Sequence, residues 1–217
     1  MRKRILAGLA MVLLMVGGAP ILHAASASFS IISANSYGNS YRLPQSAGYR
    51  FTALSNIVVS SLGFFDYLGD GLGESHTVGI FNSAGELLTS AVVSSGTGNS
   101  LDDGFRYTDI FPLILTVGET YTAAALFLTN EDVVGYADVE DALVNPAISL
   151  GSLPARYIFQ TGSGLQFPTE TAMLGGTEMY YAPNFKLAPV PIPSSVLLMG
   201  TGMAGLVGLR LRRKRED

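Results

Sequence analysis

The chain has 217 residues, with 13 Lys and Arg against 17 Asp and Glu, a net charge of −4, and neither cysteine nor tryptophan. The lack of cysteine excludes disulfides, thiolate metal sites, iron–sulfur clusters and a cysteine nucleophile. The weak negative charge, without any basic domain, argues against nucleic acid as a partner.

Basic residues are concentrated at the two ends of the chain. Eight of the thirteen lie within Arg2–Arg4 and Arg210–Arg215. The part between these ends holds five basic and fifteen acidic residues, so its net charge is −10. The small overall charge is therefore the sum of an acidic body and two basic ends.

The N-terminus has the pattern of a secretory signal peptide. Arg2–Arg4 precede the uncharged run Ile5–Val16, and the small residues Ala24–Ala27 follow. A basic segment, a short apolar segment and an alanine-rich cleavage site are typical of export, whereas the alternative, a short buried helix, does not account for these flanks. We predict that residues 1–27 form the signal peptide, that signal peptidase of the export machinery cleaves between Ala24 and Ala27, and that the mature protein works outside the cytoplasm.

Residues 28–187 are predicted to form an all-β domain. Short β-branched and aromatic runs alternate with Gly, Asn, Ser and Asp clusters, and no segment has a sustained helical period. This pattern favours a single antiparallel β-sandwich of jelly-roll or immunoglobulin-like type. The predicted strands are Phe29–Ser33, Gly48–Ala53, Ile57–Tyr67, His76–Phe81, Glu86–Ser94, Gly104–Ile110, Leu113–Val117, Thr120–Thr129, Ala155–Gln160 and Met179–Leu187.

Two tight turns predict antiparallel neighbours. The loop Asn82–Gly85 connects His76–Phe81 to Glu86–Ser94, which we expect to pair as a hairpin. Gly118 and Glu119 form a similarly short link between Leu113–Val117 and Thr120–Thr129. A two-residue link is too short for the crossover that parallel strands require.

Candidate residues for chemistry are few. His76 is the only histidine left after signal-peptide removal, so a Ser/His/Asp hydrolase would have to use it, together with carboxylates such as Asp66 and Asp70. The alternative is a local role in which the imidazole of His76 bonds to the backbone. Asp66, Asp70 and Glu74 lie on a glycine-rich loop and are the predicted ligands of a possible calcium ion, because calcium prefers several oxygen ligands from flexible loops. The alternative is a set of solvated acidic loops, and a second acidic stretch contains Glu131, Asp132, Asp138, Glu140 and Asp141.

The ten tyrosines allow two interpretations. Tyrosine rings at loops can stack on sugar rings, which would suit adhesion to polysaccharide. Tyrosine also commonly fills half-buried strand positions, and we prefer this interpretation for any single residue.

The C-terminus has three parts. A proline-rich linker, residues 188–193, precedes the uncharged run Ser194–Leu209 and the basic end. The run is 16 residues long, or roughly 24 Å as a helix, which is a marginal span for a hydrocarbon core of about 30 Å. We predict a short transmembrane helix within residues 194–217, with the basic cluster on the cytoplasmic side. Its anchoring residues are Val196, Leu197, Leu198, Leu206, Val207 and Leu209, and its basic residues are Arg210, Arg212, Arg213, Lys214 and Arg215.

This tail resembles the PEP-CTERM sorting signal of Gram-negative bacteria. Val190, Pro191, Ile192 and Pro193 stand at the position of the Pro-Glu-Pro motif, with Ile192 in place of the glutamate, and the helix and arginine cluster follow. The resemblance implies an exosortase, a membrane-embedded cysteine protease, as a partner that cleaves near the motif. It also implies brief anchoring in the inner membrane, followed by delivery to the cell surface or to extracellular polysaccharide.

A second resemblance covers roughly residues 51–129. The glycine and aromatic spacing there is similar to a domain of unknown function in bacterial surface proteins, which is taken to be a β-sandwich and brings no catalytic residues. The residues that carry it are Phe64–Tyr67, Asp70–Ile80, Gly85–Leu88, Gly104–Tyr107, Leu115 and Val117–Tyr121.

The sequence therefore predicts an exported, non-enzymatic surface or matrix protein with a structural or adhesive role in association with exopolysaccharide. A calcium-assisted carbohydrate-binding module is the first alternative and a hydrolase the second. No cofactor is expected other than the possible calcium.

Overall fold

The computed structural model describes residues 25–31, 36–38, 43–138, 142–150, 158–171 and 178–188, and these residues are nearly all β. They contain one 3-10 turn, Tyr67–Gly69, and no α-helix. The strands in chain order are β1 (Ser26–Ala27), β2 (Phe29–Ile31), β3 (Ser36–Gly38), β4 (Gln45–Ala53), β5 (Ile57–Phe65), β6 (His76–Asn82), β7 (Leu87–Val93), β8 (Ser100–Asp102), β9 (Phe105–Leu115), β10 (Thr120–Phe127), β11 (Val134–Asp138), β12 (Ala142–Val144), β13 (Ile148–Leu150), β14 (Ile158–Thr161), β15 (Glu170–Thr171), β16 (Glu178–Tyr181) and β17 (Pro183–Ala188).

Two larger sheets make up most of the described fold. One has the strand order β1-β17-β5-β9-β8, and the other has the order β15-β14-β4-β10-β6-β7, with β13 also paired to β4. All these pairs are antiparallel. A smaller three-stranded sheet has the order β16-β11-β3, and a two-stranded sheet pairs β12 with β2. The arrangement is consistent with the predicted antiparallel β-sandwich.

Aromatic side chains fill the space between the two larger sheets. Phe51 on β4 lies 4.8 Å from Phe185 on β17, and Phe64 on β5 lies 5.3 Å from Phe127 on β10, measured between ring centroids. All four are fully or almost fully buried. Contacts of this kind join the inner faces of the sheets and supply the apolar burial that a domain without disulfides depends on.

One of the two predicted pairs of neighbours is confirmed. Strands β6 and β7 form the expected antiparallel hairpin, with Gly85 at a positive φ of 84°. The pairing predicted across Gly118 and Glu119 is wrong, because β9 pairs with β5 and β8 whereas β10 pairs with β4 and β6. The tight turn is present, but it carries the chain from one sheet to the other.

A proline lies inside a strand that the sequence predicted as two. Strand β9 runs without a break from Phe105 to Leu115 and includes Pro112. Strand β8 pairs only with Phe105–Tyr107, so the second half of β9 is a sheet edge on that side, where the missing amide of proline is tolerated. The pairing with β5 shifts register opposite this stretch, between Val59 and Ser61.

The last predicted strand, Met179–Leu187, is also divided in the structure. The chain forms β16, passes the buried Ala182 and then forms β17 in a different sheet. The sequence does not predict this division, because an apolar run that is buried on both faces gives no sign of where the chain passes from one sheet to another.

The described chain enters and leaves the fold side by side. Strand β1 pairs with β17, with Ser26 opposite Leu187 and Ala27 opposite Lys186. Because the two strands are antiparallel, Ala25 and Ala188 lie at the same end of the sheet, about 5 Å apart at the usual pairing distance. The side chain of Asn145 fixes β1 further by donating to Ser26 Oγ at 3.0 Å and to the carbonyl of Ala27 at 3.3 Å.

We call the end where Ala25 and Ala188 lie the tail-side end, and the other the loop end. The tail-side end also contains the turn between β9 and β10 and the loop between β4 and β5. The loop end contains residues 66–75, 94–99 and 128–133. Within the part of the chain that the structure describes, no helix has the length and apolar character needed to cross a membrane.

Candidate functional site

The sequence-predicted calcium residues lie at the loop end, where Arg106 sets the local structure. Arg106 on β9 is only 4% exposed, and its Nε donates to Asp66 Oδ2 at 2.6 Å. Its Nη1 donates to the carbonyls of Thr97 and Asn99, and its Nη2 donates to the carbonyl of Gly69. One buried guanidinium therefore holds two loops to the sandwich.

Asp66 is the partner that balances this buried charge. It is 2% exposed, and its two carboxylate oxygens also accept from the amide of Gly71 at 3.2 Å. An ionised carboxylate in such a position requires both a counter-charge and hydrogen bonds. Asp66 thus stabilises the loop that follows β5, and both of its carboxylate oxygens already accept hydrogen bonds within the protein.

A second set of contacts joins the loop after β5 to the loop after β10. Asp132 accepts from the amide of Gly73 at 2.8 Å and from the amide of Glu74 at 3.0 Å. Glu74 in turn accepts through Oε1 from the amides of Leu128 and Thr129, at 3.3 and 2.9 Å. Each carboxylate thus satisfies backbone donors of the opposite loop, and we call this reciprocal arrangement the carboxylate clasp.

His76 connects the clasp to the core. Its ring is fully buried and stacks on Phe64 with a centroid separation of 3.5 Å and an angle of 3°. Nδ1 lies 3.0 Å from the carbonyl oxygen of Leu126, and Nε2 lies 2.9 Å from Asp132 Oδ2. Both partners are oxygens that accept, so both contacts are hydrogen bonds when each nitrogen carries a proton.

This geometry agrees with the local role predicted for His76 and leaves the ring no free nitrogen. A catalytic histidine needs one nitrogen within reach of a nucleophile. In His76 one nitrogen contacts the backbone and the other contacts Asp132, and the ring has no exposed edge. The predicted bond to backbone is therefore confirmed at Leu126, and the contact with Asp132 adds to it.

The environment of Asp132 shifts its pKa. Burial raises the pKa of this carboxyl, but hydrogen bonds from His76 and from the amides of Glu74 and Gly73 favour the ionised form and outweigh burial, so the pKa lies below its ordinary value. Folding therefore stabilises the carboxylate of Asp132. Its contribution to stability is complete above the ordinary carboxyl pKa and is lost as pH falls through the lower pKa of the folded protein.

Replacing Asp132 with asparagine should weaken the clasp at neutral pH. We expect Asp132→Asn to lower the free energy of unfolding by about 2 kcal/mol, since hydrogen bonds to a charged group are lost. The loss should shrink as the pH falls below the ordinary carboxyl pKa and through the lower pKa of the folded protein, because protonation then removes the same charge from the native residue. Urea unfolding of both proteins at neutral and acid pH measures this difference. Glu131→Gln, a change to an exposed carboxylate in the same loop, is the matched control, and an equal loss in both variants would contradict the assignment.

Between these loops lies an acidic cleft of about 240 Å³. It brings together carboxylates from two stretches that the sequence treats separately. Asp70 and Glu131 are exposed there, whereas Asp66 and Asp132 are held by the contacts described above. The lining residues are Asp66, Tyr67, Asp70, Gly71, Gly73, Glu131, Asp132 and Val133.

The cleft gathers only two of the three predicted calcium ligands, Asp66 and Asp70, while Glu74 is directed to the amides of Leu128 and Thr129. Across residues 43–138 and the other described segments, no three His, Asp or Glu side chains are grouped so that they could hold a metal ion. Asp138 belongs to β11, and Glu140 and Asp141 lie outside the described residues. Calcium binding stays a prediction.

Most tyrosines with a described side chain belong to the core. Tyr67 is exposed, at 36%, and lines the cleft. Burial raises the pKa values of Tyr49 and Tyr107, which keeps both phenols neutral. The hydroxyl of Tyr49 contacts Ser28 Oγ at 3.2 Å inside the core. The buried tyrosines are Tyr49, Tyr107, Tyr121, Tyr180 and Tyr181, so strand packing accounts for them.

The predicted sorting motif Val190–Pro193, the anchoring residues and the basic cluster lie outside the described residues, as does the signal peptide up to residue 24. The described chain ends at Ala188, the first residue of the predicted proline-rich linker. In a comparison with known proteins, no protein-family model matches the chain, and no curated protein matches it.

Proposed function

We propose that the protein is an exported, non-enzymatic β-sandwich protein that its C-terminal tail holds in the inner membrane before an exosortase sorts it to the cell surface or extracellular matrix. Its role there is structural or adhesive, in association with exopolysaccharide. The proposal rests on the C-terminal tail, in which the motif Val190–Pro193, the apolar run and the basic cluster follow one another. The pairing of β1 with β17 is compatible with it, because both ends of the described chain lie at the tail-side end. A body fixed in this way presents its opposite end outwards.

The sandwich in this proposal is of jelly-roll or immunoglobulin-like type. Consecutive strands repeatedly change sheet: β4 to β5, β5 to β6, β7 to β8, and β9 to β10. Connections of this kind are typical of Greek-key and jelly-roll folds. Its large aromatic core supplies the apolar burial that stabilises a fold without disulfides.

The same pairing bears on signal-peptide cleavage. Ser26 and Ala27 form β1 and are bound by Asn145, so cleavage after Ala27 would remove a strand from the sheet. Within the predicted interval from Ala24 to Ala27, this favours a cleavage before Ser26. The mature chain then begins with β1 beside the exit of the tail.

A hydrolase and a calcium-assisted carbohydrate-binding module receive less support from the geometry. Both ring nitrogens of His76 contact oxygen acceptors, and Asp66 is paired with Arg106. Glu74 accepts from two backbone amides. These contacts engage His76, Asp66 and Glu74, whereas Asp70 is the one predicted calcium residue that is exposed in the cleft.

Fractionation of cells that produce the protein tests the proposal. The full chain should be found in the inner membrane when exosortase activity is absent and at the surface or in the matrix when it is present. A chain ending at Ala188 should be released in soluble form, because it lacks the linker, apolar run and basic cluster. Replacing Arg210, Arg212, Arg213, Lys214 and Arg215 with glutamine should remove the signal for correct orientation while keeping the apolar run. A chain ending at Ala188 that fractionates like the full chain would refute the proposal.

A further inference from the structure

Large apolar side chains are exposed in the tail-side half of the fold, three of them close to the tail-side end and the fourth, Phe111, on β9 four residues before that strand ends. Phe111 is 95% exposed, Ile114 71%, Leu54 55% and Val117 50%. We call these four residues the apolar rim. The loop end also exposes apolar side chains, Leu68 at 80%, Leu101 at 46% and Leu128 at 46%, but there they lie among exposed carboxylates. Several exposed apolar residues at an end with fewer charges indicate a surface that contacts another molecule.

The strand register places the apolar rim beside the exit of the tail. Val58 on β5 pairs with Ala188 on one side and with Ile114 on the other. In the turn that follows β9, the amide of Val117 donates to Asn56 Oδ1 at 2.9 Å, which holds this turn against the loop containing Leu54. The rim thus surrounds the end from which the chain continues towards its apolar run.

We propose that the apolar rim contacts the lipid surface of the membrane while the tail is still attached. This inference rests on the proposed function, because it needs the tail to be in the membrane. Only seven residues, 189–195, separate Ala188 from Val196, the first anchoring residue, so even a fully extended linker keeps the two within roughly 26–29 Å of each other. At such a distance, burying the apolar rim in the interface between headgroups and acyl chains is favourable.

Charge favours the same orientation. The loop end exposes Asp70, Asp103 and Glu131, together with Asp102, which forms an ion pair with Lys186 at 2.6 Å. At the tail-side end, the exposed carboxylates among the described residues are Glu86 and Glu119. The anionic surface of a bacterial membrane repels the loop end more strongly, so the acidic cleft faces away from the lipid.

The chain has no tryptophan, so a single introduced indole reports on its own position. Phe111→Trp puts the probe on the apolar rim, and Leu101→Trp, at a residue that is 46% exposed on β8, puts the matched control at the loop end. Each full-length protein is reconstituted in vesicles of phosphatidylethanolamine and phosphatidylglycerol with brominated acyl chains. We expect the Phe111→Trp protein to emit at shorter wavelength and to be quenched about threefold more strongly than the control, since an interfacial side chain reaches the upper acyl chains.

Three results would overturn the inference. Equal quenching of both indoles, in protein that floats with the vesicles, would refute contact of the rim with lipid and leave the proposed function intact. Protein that fails to float with the vesicles would refute the tail anchor and the inference together. A blue shift of the Phe111→Trp protein that depends on protein concentration, in detergent and without vesicles, would show that a second copy of the chain covers the rim instead.

Discussion

Replacing Arg106 with methionine is expected to lower the free energy of unfolding by roughly 3–5 kcal/mol, because it leaves the buried carboxylate of Asp66 without its counter-charge. Methionine has a similar length and avoids a large cavity, so the loss reports on charge and hydrogen bonds. The change also leaves the carbonyls of Gly69, Thr97 and Asn99 without their donor. Urea unfolding at neutral pH measures the effect.

A control and a double variant separate the ion pair from other effects. Arg50→Met makes the same chemical change at a half-buried position on β4 and should cost less than about 1 kcal/mol. Adding Asp66→Asn to Arg106→Met removes the unpaired charge and should restore part of the stability. If Arg106→Met unfolded at the same urea concentration as Arg50→Met, Arg106 would not hold the loop end as described.

Replacing Gly48 with alanine is expected to lower the free energy of unfolding by about 3 kcal/mol or more, because the new methyl group would collide with main-chain atoms. A Cβ at this position of β4 would lie 1.9 Å from the carbonyl oxygen of Ala123 on β10. A flexible side chain can move aside, but a backbone carbonyl in the middle of a sheet moves only with its strand. The pairing of β4 with β10 is therefore expected to separate locally.

Gly98→Ala is the matched control for this change. A Cβ at Gly98 meets no atom within 4 Å, so we expect stability to change by less than about 0.5 kcal/mol, or to rise slightly as the unfolded chain loses freedom. Thermal unfolding of the two variants makes the comparison. A Gly48→Ala protein that unfolds at the same temperature as Gly98→Ala would show that β4 and β10 are not as close as described.

Local patterns predicted the strands better than their partners. The Asn82–Gly85 turn identified its hairpin because a short loop with a left-handed glycine suits antiparallel neighbours in one sheet. The turn at Gly118 has a similar local signal, yet its two strands lie in different sheets. Leu115 and Tyr121 are buried in either arrangement, so the alternation of apolar residues does not distinguish the two.

The loop end could be predicted only in part. The sequence indicates that the two acidic stretches are loops. It does not predict that they lie side by side, because that depends on contacts such as the one between Glu74 and Thr129, which are more than fifty residues apart in sequence. Arg106 gave no local signal, because a lone arginine in a strand most often faces solvent. Its position between Phe105 and Tyr107, which are both core residues, is the one feature that sets it apart. Asp132 was named only as one of several acidic residues, whereas the structure pairs it with His76.

The two ends of the chain connect the fold with the proposed sorting. Strands β1 and β17 are neighbours in one sheet, so the described chain begins and ends at the tail-side end. In the proposed orientation, a domain held by its C-terminal tail therefore keeps its apolar rim near the membrane and its acidic loop end away from it. In the proposed sorting, removal of the tail releases the domain, and both its apolar rim and its acidic loop end become accessible. The proposed sorting to the cell surface or matrix therefore depends on cleavage of the tail.

Mass spectrometry of the protein purified from the cell surface tests that step most directly, because it determines both termini of the mature chain. We expect a C-terminus near Pro191–Pro193, with an N-terminus at Ala25 or Ser26 that keeps β1 in the sheet. Surface protein that retains an intact tail from Arg210 to Asp217 would contradict the account.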